Sequence, residues 1–440
     1  MNLPPKIYRG RFLQALNDHK ALYISDGLAL VGAEGESKGK LLALGPAEAI
    51  AAEYSLDLNA IPFESGLYLP AFYDLHFHWV QDSVREMPKT SLLEWLAQYT
   101  FPTEAKFADP EFAEQAASVF WKRILSVGTI GGLCYSSIHE TALEAALRHA
   151  PENFRIGNVL MTMNCPDYLQ QTEAEAIASV ERCAERFADR YVASPRFAPT
   201  TGPEVMAASA AAAKRFDCFQ QTHLGETIPE IEWVLGMYHE MSGFEAVPSY
   251  TAVYDQVGML GPKTVFGHCI HLSPEEWTLL AESDSIIASC PSSNAPLEML
   301  GLGSGLFDFQ MADRYGVRWS LCSDIGGGPF LSMFDVMESF VLQNKAAGTP
   351  ASYIQALYRS STKGAELLGL GETKGQLQPG YDFDVIRVPL AAEMADCEDP
   401  ESLLESVVHS VQSREAYDAL VEATIVRGEA VFVKSEGVNS

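Results

Sequence analysis

The chain has 440 residues, in which 58 aspartates and glutamates exceed 30 lysines and arginines, giving a formal net charge of −28. Such a surface repels phosphate backbones and anionic membranes, so the composition argues against nucleic-acid and membrane partners. The length allows one α/β barrel with an appended domain as well as two separate domains.

The eight cysteines are scattered along the chain without a Cys-x-x-Cys pair. Several lie in apolar runs, for instance Cys218 and Cys322, which is typical of small buried side chains in a reducing compartment rather than of disulfides. The N-terminus lacks the basic-then-apolar pattern of a secretion signal, and no stretch approaches about 18 uncharged apolar residues. We therefore expect a cytoplasmic protein without a membrane-spanning helix.

Short apolar segments separated by turn signals predict a small antiparallel sheet within residues 1–66. From residue 67 onward, apolar runs alternate with stretches of helical periodicity. The periodicity predicts helices over 112–125, 141–149, 173–188 and 203–215. The apolar runs predict strands over 71–78, 128–135, 155–163, 191–198, 216–223, 264–271, 285–290 and 317–324.

Strands that alternate with helices in this way are the signature of a (β/α)8 TIM barrel, which we place at residues 67–373. After residue 374 the chain returns to short strands. Neither end of the chain buries enough area to be stable alone. We therefore predict that 1–66 and 374–440 pair into one small, discontinuous β-sandwich domain beside the barrel.

Side chains of metal-ligand type stand at the carboxyl ends of the predicted barrel strands. On the first strand, His76 and His78 alternate onto the same face as Asp74, so two imidazoles can reach one metal ion. A lone His-x-His pair is weak evidence for a metal. Further candidates end the fifth, sixth and eighth strands: His223 followed by Glu226, His268, and Asp324.

The active site of such a barrel lies at the carboxyl ends of its strands, so these side chains converge. Three histidines and one aspartate from this set complete the four-ligand shell that zinc prefers. Each residue alone is better explained as a core histidine or a strand-end residue, but their joint occurrence favours a metal site. We expect one Zn²⁺ per chain, and Fe²⁺ suits the same ligands. Asp74 is expected to support His76 or a loop.

Four motifs carry a resemblance to a known family: Asp-Leu-His-Phe-His at 74–78, Thr-His-Leu-Gly-Glu at 222–226, Gly-His-Cys-Ile-His-Leu at 267–272 and Ser-Asp-Ile-Gly-Gly-Gly at 323–328. Together they resemble the deaminase and chlorohydrolase branch of the amidohydrolase superfamily, whose fold is a metal-dependent hydrolase barrel. Residues 92–107, 194–199 and 303–308 are similar, within that branch, to guanine deaminases. The resemblance covers roughly 67–370 and a tail motif at 380–385.

The resemblance implies hydrolytic deamination of guanine to xanthine and ammonia at a single zinc ion. It leaves His268 to hydrogen-bond the water or the substrate. Glu226 then carries the proton from the water to the ring and the leaving amine, a role typically worth ~10²–10⁴-fold in rate. The implied metal ligands are His76, His78, His223 and Asp324. The implied catalytic residues are Glu226, Asp324 and His268.

The same resemblance places substrate-binding residues around the metal. Gln81 offers a donor and an acceptor to an amide edge, and Arg196 offers a fork of donors to the carbonyl O6. Trp79 or Phe197 can pack against the ring, although barrel packing explains both equally, and His268 can contact the purine. A salt bridge is the alternative for Arg196. The expected partner is a small-molecule purine, and the apolar stretch 95–101 with the habit of the family favours a homodimer.

Three alternatives stay open. A binuclear amide hydrolase such as a hydantoinase usually carries a modified lysine on the fourth strand, and that strand has none here. A mononuclear aminohydrolase or chlorohydrolase acting on another purine, a pterin or a triazine-like heterocycle fits the same motifs; Ser289, where relatives often carry a histidine, bears on that choice. A non-catalytic zinc-containing scaffold is disfavoured by Glu226, because a structural metal site needs no acid–base group.

Overall fold

A computed structural model describes residues 4–435 of the chain. Its strands, numbered in chain order, are β1 (Lys6–Asn17), β2 (Lys20–Val31), β3 (Leu41–Pro46), β4 (Leu67–Pro70), β5 (Phe72–His78), β6 (Thr129–Ser136), β7 (Asn153–Leu160), β8 (Val192–Pro195), β9 (Phe219–Leu224), β10 (Thr264–His268), β11 (Ile286–Ser289), β12 (Arg318–Leu321), β13 (Val385–Val388), β14 (Ala423–Val426) and β15 (Glu429–Val433).

The helices are α1 (Ala47–Glu53), α2 (Leu92–Trp95), α3 (Phe101–Ala105), α4 (Pro110–Ser126), α5 (Glu140–His149), α6 (Glu173–Phe187), α7 (Pro203–Phe216), α8 (Ile228–Tyr238), α9 (Tyr250–Gln256), α10 (Pro274–Glu282), α11 (Pro291–Asn294), α12 (Phe309–Tyr315), α13 (Met333–Ala346), α14 (Tyr353–Ser360), α15 (Thr362–Leu367) and α16 (Pro400–Val408). The four helices predicted from periodicity are confirmed as α4 to α7, each with ends within two residues of the prediction.

The predicted barrel is present as one parallel sheet of eight strands, β5 to β12, in which spatial neighbours follow chain order. The first and last strands approach each other, since the N–H of Asp324, just beyond β12, donates to the carbonyl of His76 on β5 (2.8 Å). The sheet is thereby nearly closed, and the TIM-barrel prediction is confirmed.

The opening strand of the barrel, predicted over the run after Pro70, is confirmed as β5. Residues up to Pro70 form β4, which pairs with β1 and β13 in the other sheet, and the barrel strand begins at Phe72. The strand changes sheet at Pro70, whose ring removes the N–H that a continued ladder would need. Strand β5 carries both histidines at its carboxyl end.

The two ends of the chain pair in a second sheet of seven strands, in the order β15-β14-β13-β4-β1-β2-β3. The predicted β-sandwich corresponds to this one hydrogen-bonded mixed sheet rather than to two separate sheets. Along β2, the run 28–31 is wholly apolar because both faces are covered. Leu28 and Leu30 pack against α1 residues such as Ile50, and Ala29 and Val31 face an aromatic cluster with Phe12 and Phe383.

Within the described chain, residues group into two compact units, one formed by 4–73, 122–130 and 330–435 and the other by 74–121 and 131–329. Every side chain of the candidate site below belongs to the second unit. The predicted domain boundaries at 66/67 and 373/374 stay a prediction.

All eight cysteines are free thiols, and six of them are buried, which confirms the absence of disulfides that their scattered positions predict. Across residues 4–435, no helix combines the length and the apolar character that crossing a bilayer requires.

Candidate active site

Four side chains of metal-ligand type converge at the carboxyl ends of the barrel strands. His76 and His78 come from β5, His223 from β9, and Asp324 follows β12, and one ligand atom of each lies within 4.8 Å of the others. Nε2 of His78 is 3.2 Å from Nε2 of His223, and both β5 histidines place Nε2 3.4 Å from Oδ1 of Asp324. The structure thus brings together the four predicted ligands.

The histidine nitrogens of this cluster show that the residues fit a metal ion. Both ring nitrogens of His76 and Nδ1 of His78 are buried and make no hydrogen bond to any residue the structure describes. Buried polar atoms are rarely left unpaired, because each costs ~1–3 kcal/mol. Nδ1 of His223 lies 2.7 Å from the carbonyl oxygen of Arg196, which fixes its proton there and leaves Nε2 for the cluster.

The charge states also suit metal binding. Burial lowers the pKa of His78 and His223 well below the ordinary value, so both rings are neutral, as ligation requires. Burial opposes ionisation of Asp324, but the imidazole of His76, with Nε2 3.4 Å from Oδ1, and the neighbouring His268 and His78 lower its pKa overall. Neutral nitrogens and one carboxylate form a donor set that a divalent ion such as zinc accepts.

Gly267 on β10 makes room for the His76 ring. A Cβ added at this position would lie 2.4 Å from Cε1 and 2.8 Å from Nδ1 of His76, closer than real Cβ contacts allow. A glycine is therefore needed at 267 because the His76 ring lies so close to the backbone, and not because of a special backbone angle. Residue 268, the next along the strand, does adopt a positive φ (70°), which turns its imidazole into the same site.

Asp74 lies one layer below the ligands and ties the first strand to the last. Its carboxylate accepts the N–H of His76 (3.2 Å), the N–H of Ser323 (3.2 Å) and the Ser323 hydroxyl. Ser323 directly precedes Asp324, so Asp74 fixes the backbone beside a ligand from each strand. This is the supporting position expected from the sequence.

A second cluster of polar side chains borders the ligands and centres on Glu226. Oε1 of Glu226 accepts hydrogen bonds from Oγ of Ser304 (2.8 Å) and Nδ2 of Asn294 (3.4 Å), and Oε2 lies 3.5 Å from Nε2 of His268. Nε2 of His268 is also 4.0 Å from Oδ2 of Asp324. One oxygen of Glu226 is thus anchored, and the other faces His268.

The two titratable groups of this second cluster are shifted in ways that suit proton transfer. Burial raises the pKa of Glu226, and the charge of His268 only partly opposes the shift. Burial lowers the pKa of His268, but the carboxylates of Glu226 and Asp324 outweigh it and raise the pKa overall. A buried carboxyl beside a buried imidazole, each with a raised pKa, is an arrangement found at acid–base sites.

Glu230, on the first turn of α8, holds Glu226 from behind. Oε2 of Glu230 accepts the N–H of Glu226 (2.9 Å) and of Thr227 (3.2 Å), and Thr227 caps the N–H of Glu230 in return. This capping box fixes the turn between His223 and the helix. Burial and the Glu226 carboxylate raise the pKa of Glu230 to about 7.

A cavity opens onto both clusters. Its wall contains Gln81, Arg196, Phe197 and His268, which are four of the five predicted substrate contacts. The apolar part of the wall comprises Leu92, Trp95, Leu96 and Leu302. The cavity therefore combines a metal cluster, an acid–base pair and apolar surfaces.

Trp79 is not part of this wall. Its ring packs against Phe107 and Phe120, with centroids 4.8 and 6.3 Å away, and its indole N–H donates to Ser136 (3.1 Å). Ser289 is likewise away from the wall, because it is buried on β11, where its carbonyl accepts the N–H of Cys322 (2.8 Å). The structure therefore gives Trp79 the packing position that the sequence left as an alternative.

A family comparison agrees with the ligand cluster and the barrel. The sequence model of the amidohydrolase family matches residues 67–431. This chain belongs to the amidohydrolase family.

Relatives of this amidohydrolase include the guanine deaminase of Escherichia coli (strain K12), which is 33% identical over 381 residues, or 84% of this chain and 83% of that protein. A solved structure of E. coli guanine deaminase superposes with a TM-score of 0.84 at 28% identity, covering 99% of this chain and all of the other. Guanine deaminase from C. acetobutylicum, solved with guanine in the active site, has a TM-score of 0.81 at 24% identity, covers 97% of this chain and all of the other, and shows the shared fold.

Several site residues of this amidohydrolase are not predicted from its sequence. Glu104 is fully buried and accepts two contacts from Nη1 of Arg196 (2.9 and 2.7 Å) and one from Nε2 of Gln81 (2.8 Å). Apart from the family-like stretch 92–107 in which it lies, nothing in the local sequence distinguishes Glu104 from Glu94, the other carboxylate of the same helical segment. Glu230 has the sequence signal of a capping box, Thr227 followed by Glu three residues later. Asn294 has no signal beyond neighbouring prolines, and Ser304 has none beyond its place in the family-like stretch 303–308.

Proposed function

We propose that this amidohydrolase hydrolyses guanine to xanthine and ammonia, with one zinc ion held by His76, His78, His223 and Asp324. The observation that carries the proposal is that one cavity joins the metal-ligand cluster, the buried Glu226 and a polar wall of Gln81 and Arg196. Relatives that match most of the chain, such as the E. coli protein, are guanine deaminases, which supports the choice of substrate.

The ligand cluster and Glu226 divide the chemistry of water activation. A zinc ion bound by the cluster supplies Lewis acidity and lowers the pKa of water to ~7. Glu226 accepts the proton of the attacking water on Oε2, because Oε1 is already occupied by Ser304 and Asn294. The raised pKa of Glu226 lets its carboxyl hold that proton until the substrate takes it.

The overall reaction consumes one water and leaves the purine ring intact. The water oxygen forms a bond to C2 of guanine, and the proton held by Glu226 passes to ring nitrogen N3. Glu226 then takes the second proton from the hydroxyl now on C2 and donates it to the exocyclic amine. The exocyclic C2–N bond breaks as the C2 carbonyl forms, so that ammonia leaves and xanthine remains. His268, with Nε2 3.5 Å from Oε2 of Glu226, donates a hydrogen bond to the attacking oxygen.

Recognition of the purine is assigned to the part of the cavity wall that contains Gln81 and Arg196. The guanidinium of Arg196 donates to the carbonyl O6, and the Gln81 amide lies beside it on the same edge of the ring. Phe197, Leu92, Trp95 and Leu302 provide apolar surfaces for the flat faces of the purine and exclude water from the reacting carbon.

The decisive experiment measures ammonia release by the zinc-loaded protein over a panel of purines, pterins, pyrimidines and triazines. We expect equal amounts of xanthine and ammonia from guanine, and a kcat/KM for guanine at least about ten-fold above every other compound. A higher kcat/KM for a pterin or triazine would replace guanine as the substrate. Stoichiometric zinc with no turnover of any compound would favour a scaffold instead.

Assembly and location are two further expectations attached to this function. We expect a homodimer, which sedimentation of the purified zinc-loaded protein measures directly. A cytoplasmic location also stays a prediction, and cell fractionation checks it.

A further inference from the structure

We infer that Glu104 sets the hydrogen-bonding polarity of the cavity edge that reads the substrate, so that the site selects purines with a lactam edge over purines with an amidine edge. A lactam edge presents a ring N–H beside a carbonyl, and an amidine edge presents a bare ring nitrogen beside an amine. The inference rests on the proposed purine substrate and adds a specificity-determining residue that would touch no substrate atom itself.

Glu104 is fully buried, so its carboxylate cannot form hydrogen bonds with solvent water. It lies on α3, at the end of a helical segment 92–105 that contains a π-helical turn over Leu96–Thr100, and its side chain is 0% exposed. Both of its oxygens contact Nη1 of Arg196, whose side chain is only 3% exposed. The Arg196 guanidinium also lies over the ring of Phe101, 5.2 Å from the centroid. Buried charges require such pairing.

The contact with Gln81 fixes the direction of that amide. A carboxylate has no donor, so the Gln81 side chain must turn its NH₂ group toward Oε1 of Glu104, which it reaches at 2.8 Å. The carbonyl oxygen of the same amide is then the group left for a ligand. Without Glu104, the two ends of the amide would be interchangeable.

Arg196 provides the opposite polarity at the neighbouring position. Its Nη1 is committed to Glu104, but a guanidinium carries five N–H donors and no acceptor. Gln81 and Arg196 bind the same oxygen, Oε1 of Glu104, and are therefore adjacent in the cavity wall. The wall therefore presents an acceptor, the Gln81 carbonyl, next to a donor, the Arg196 guanidinium. Neither side chain can reverse this order.

This order matches N1–H and O6 of guanine. Against the edge of adenine, the bare ring nitrogen would face the Gln81 carbonyl and the amine would face the Arg196 donors. The Gln81 carbonyl and the Arg196 donors would then lack hydrogen-bond partners in a buried site. Such unpaired groups are what let a polar pocket discriminate most strongly between two ligands.

Binding of hypoxanthine and adenine to the zinc-loaded protein tests the inference by calorimetry. Both bases lack an amine at C2, and they differ in the lactam or amidine edge. We expect the parent to bind hypoxanthine at least about 100-fold more tightly than adenine. Glu104→Gln lets the Gln81 amide rotate, and the preference should fall at least ten-fold. Glu104→Asp keeps a carboxylate, so both affinities should fall while the preference remains.

Asp335→Asn is the matched control, since Asp335 is an equally buried carboxylate paired with an arginine, Arg414, in the other compact unit. It should leave both dissociation constants unchanged. Should Glu104→Gln fail to fold, Gln81→Met in the parent background removes the amide and should reduce the preference by the same ten-fold.

Two outcomes separate this inference from the proposed function. If the parent deaminates guanine but Glu104→Gln or Gln81→Met keeps the hypoxanthine preference within two-fold, the role of Glu104 is wrong and the function stands. If the parent shows the Glu104-dependent preference but does not release ammonia from guanine, the function is wrong and the role of Glu104 stands.

Discussion

The backbone carbonyl of Arg196 accepts a hydrogen bond from Nδ1 of His223 at 2.7 Å, while the side chain of Arg196 lies in the cavity wall. Arg196 thus orients His223, a candidate metal ligand, through its main chain. In the proposed function its guanidinium contacts the substrate. Because the two roles use different atoms, a change of side chain should separate substrate binding from metal binding.

Arg196→Ala should lower kcat/KM for guanine by roughly ten-fold to a few hundred-fold, as expected for a lost charged hydrogen bond of ~1.5–3 kcal/mol, while zinc content stays that of the parent. Glu104 then lies buried without its cation, which should cost ~3–5 kcal/mol of unfolding free energy. The double variant with Glu104→Gln should recover stability without recovering kcat/KM. Unchanged guanine turnover in the single variant would remove Arg196 from the site.

His76→Ala and His223→Ala should each abolish activity and most bound zinc, because each removes one of four donors. Elemental analysis of the purified variants gives the metal content. His239→Ala is the control: His239 contacts the carbonyl of Val247 (2.9 Å) and belongs to no ligand cluster in the described chain. A full complement of zinc in either ligand variant would contradict the assignment.

Glu226→Gln should reduce kcat for guanine by at least ~10²-fold while zinc content and fold stay those of the parent. The amide preserves shape and most contacts with Ser304 and Asn294 but takes up no proton. Steady-state kinetics and inhibitor binding separate kcat from affinity, and purine binding should change little. Turnover within a few-fold of the parent would mean that Asp324 or another base carries the proton.

Gly267→Ala should lower zinc affinity even though Gly267 donates no ligand atom. The added methyl would overlap the His76 ring, with a closest approach of 2.4 Å, and the ring must rotate away from the cluster. Titration with a competing chelator measures the affinity. Gly236→Ala is the comparison, because no atom lies within 4 Å of a Cβ placed there. Equal affinity in parent and Gly267→Ala would show that His76 adapts.

Asp335 should make the parent lose stability as the pH rises. Burial raises the pKa of Asp335 to about 6 from an ordinary value of 3.8, despite the charge of Arg414. The folded state therefore binds the proton more tightly, and this stabilisation is complete below about pH 4 and lost as the pH approaches 6, by about 3 kcal/mol in all. Urea unfolding across this range should show a steeper decline for the parent than for Asp335→Asn. Parallel curves would contradict the shift.

The barrel and the ligand cluster could be predicted from the sequence because both follow simple periodic rules. Strand alternation places His76 and His78 on one face, and parallel strands in a barrel bring the ends that carry His223 and Asp324 to the same rim. The same alternation indicates the position of Trp79. It follows Phe77 onto the outer face, where both rings contact Phe120.

The remainder of the site depends on contacts between segments far apart in sequence. Glu104 is 92 residues from Arg196, and Ser304 is 78 residues from Glu226. A single carboxylate or hydroxyl in a loop or helix resembles the many solvated ones of an acidic chain, so its burial is visible only in three dimensions. The sheet change at Pro70 is similar, because it depends on the tail strand β13 as a partner.

Asp74 and Ser323, which join the first barrel strand to the last, are 249 residues apart in the chain. The ligands beside them come from the first strand of the barrel and from the end of the last, so a shell with both His76 and Asp324 needs the closed barrel. Metal binding should therefore be the last event of folding, following slow, long-range strand pairing. Once bound, a metal that favours only the closed barrel opposes its opening by mass action. The rate of metal uptake during refolding should therefore report the rate at which the barrel closes.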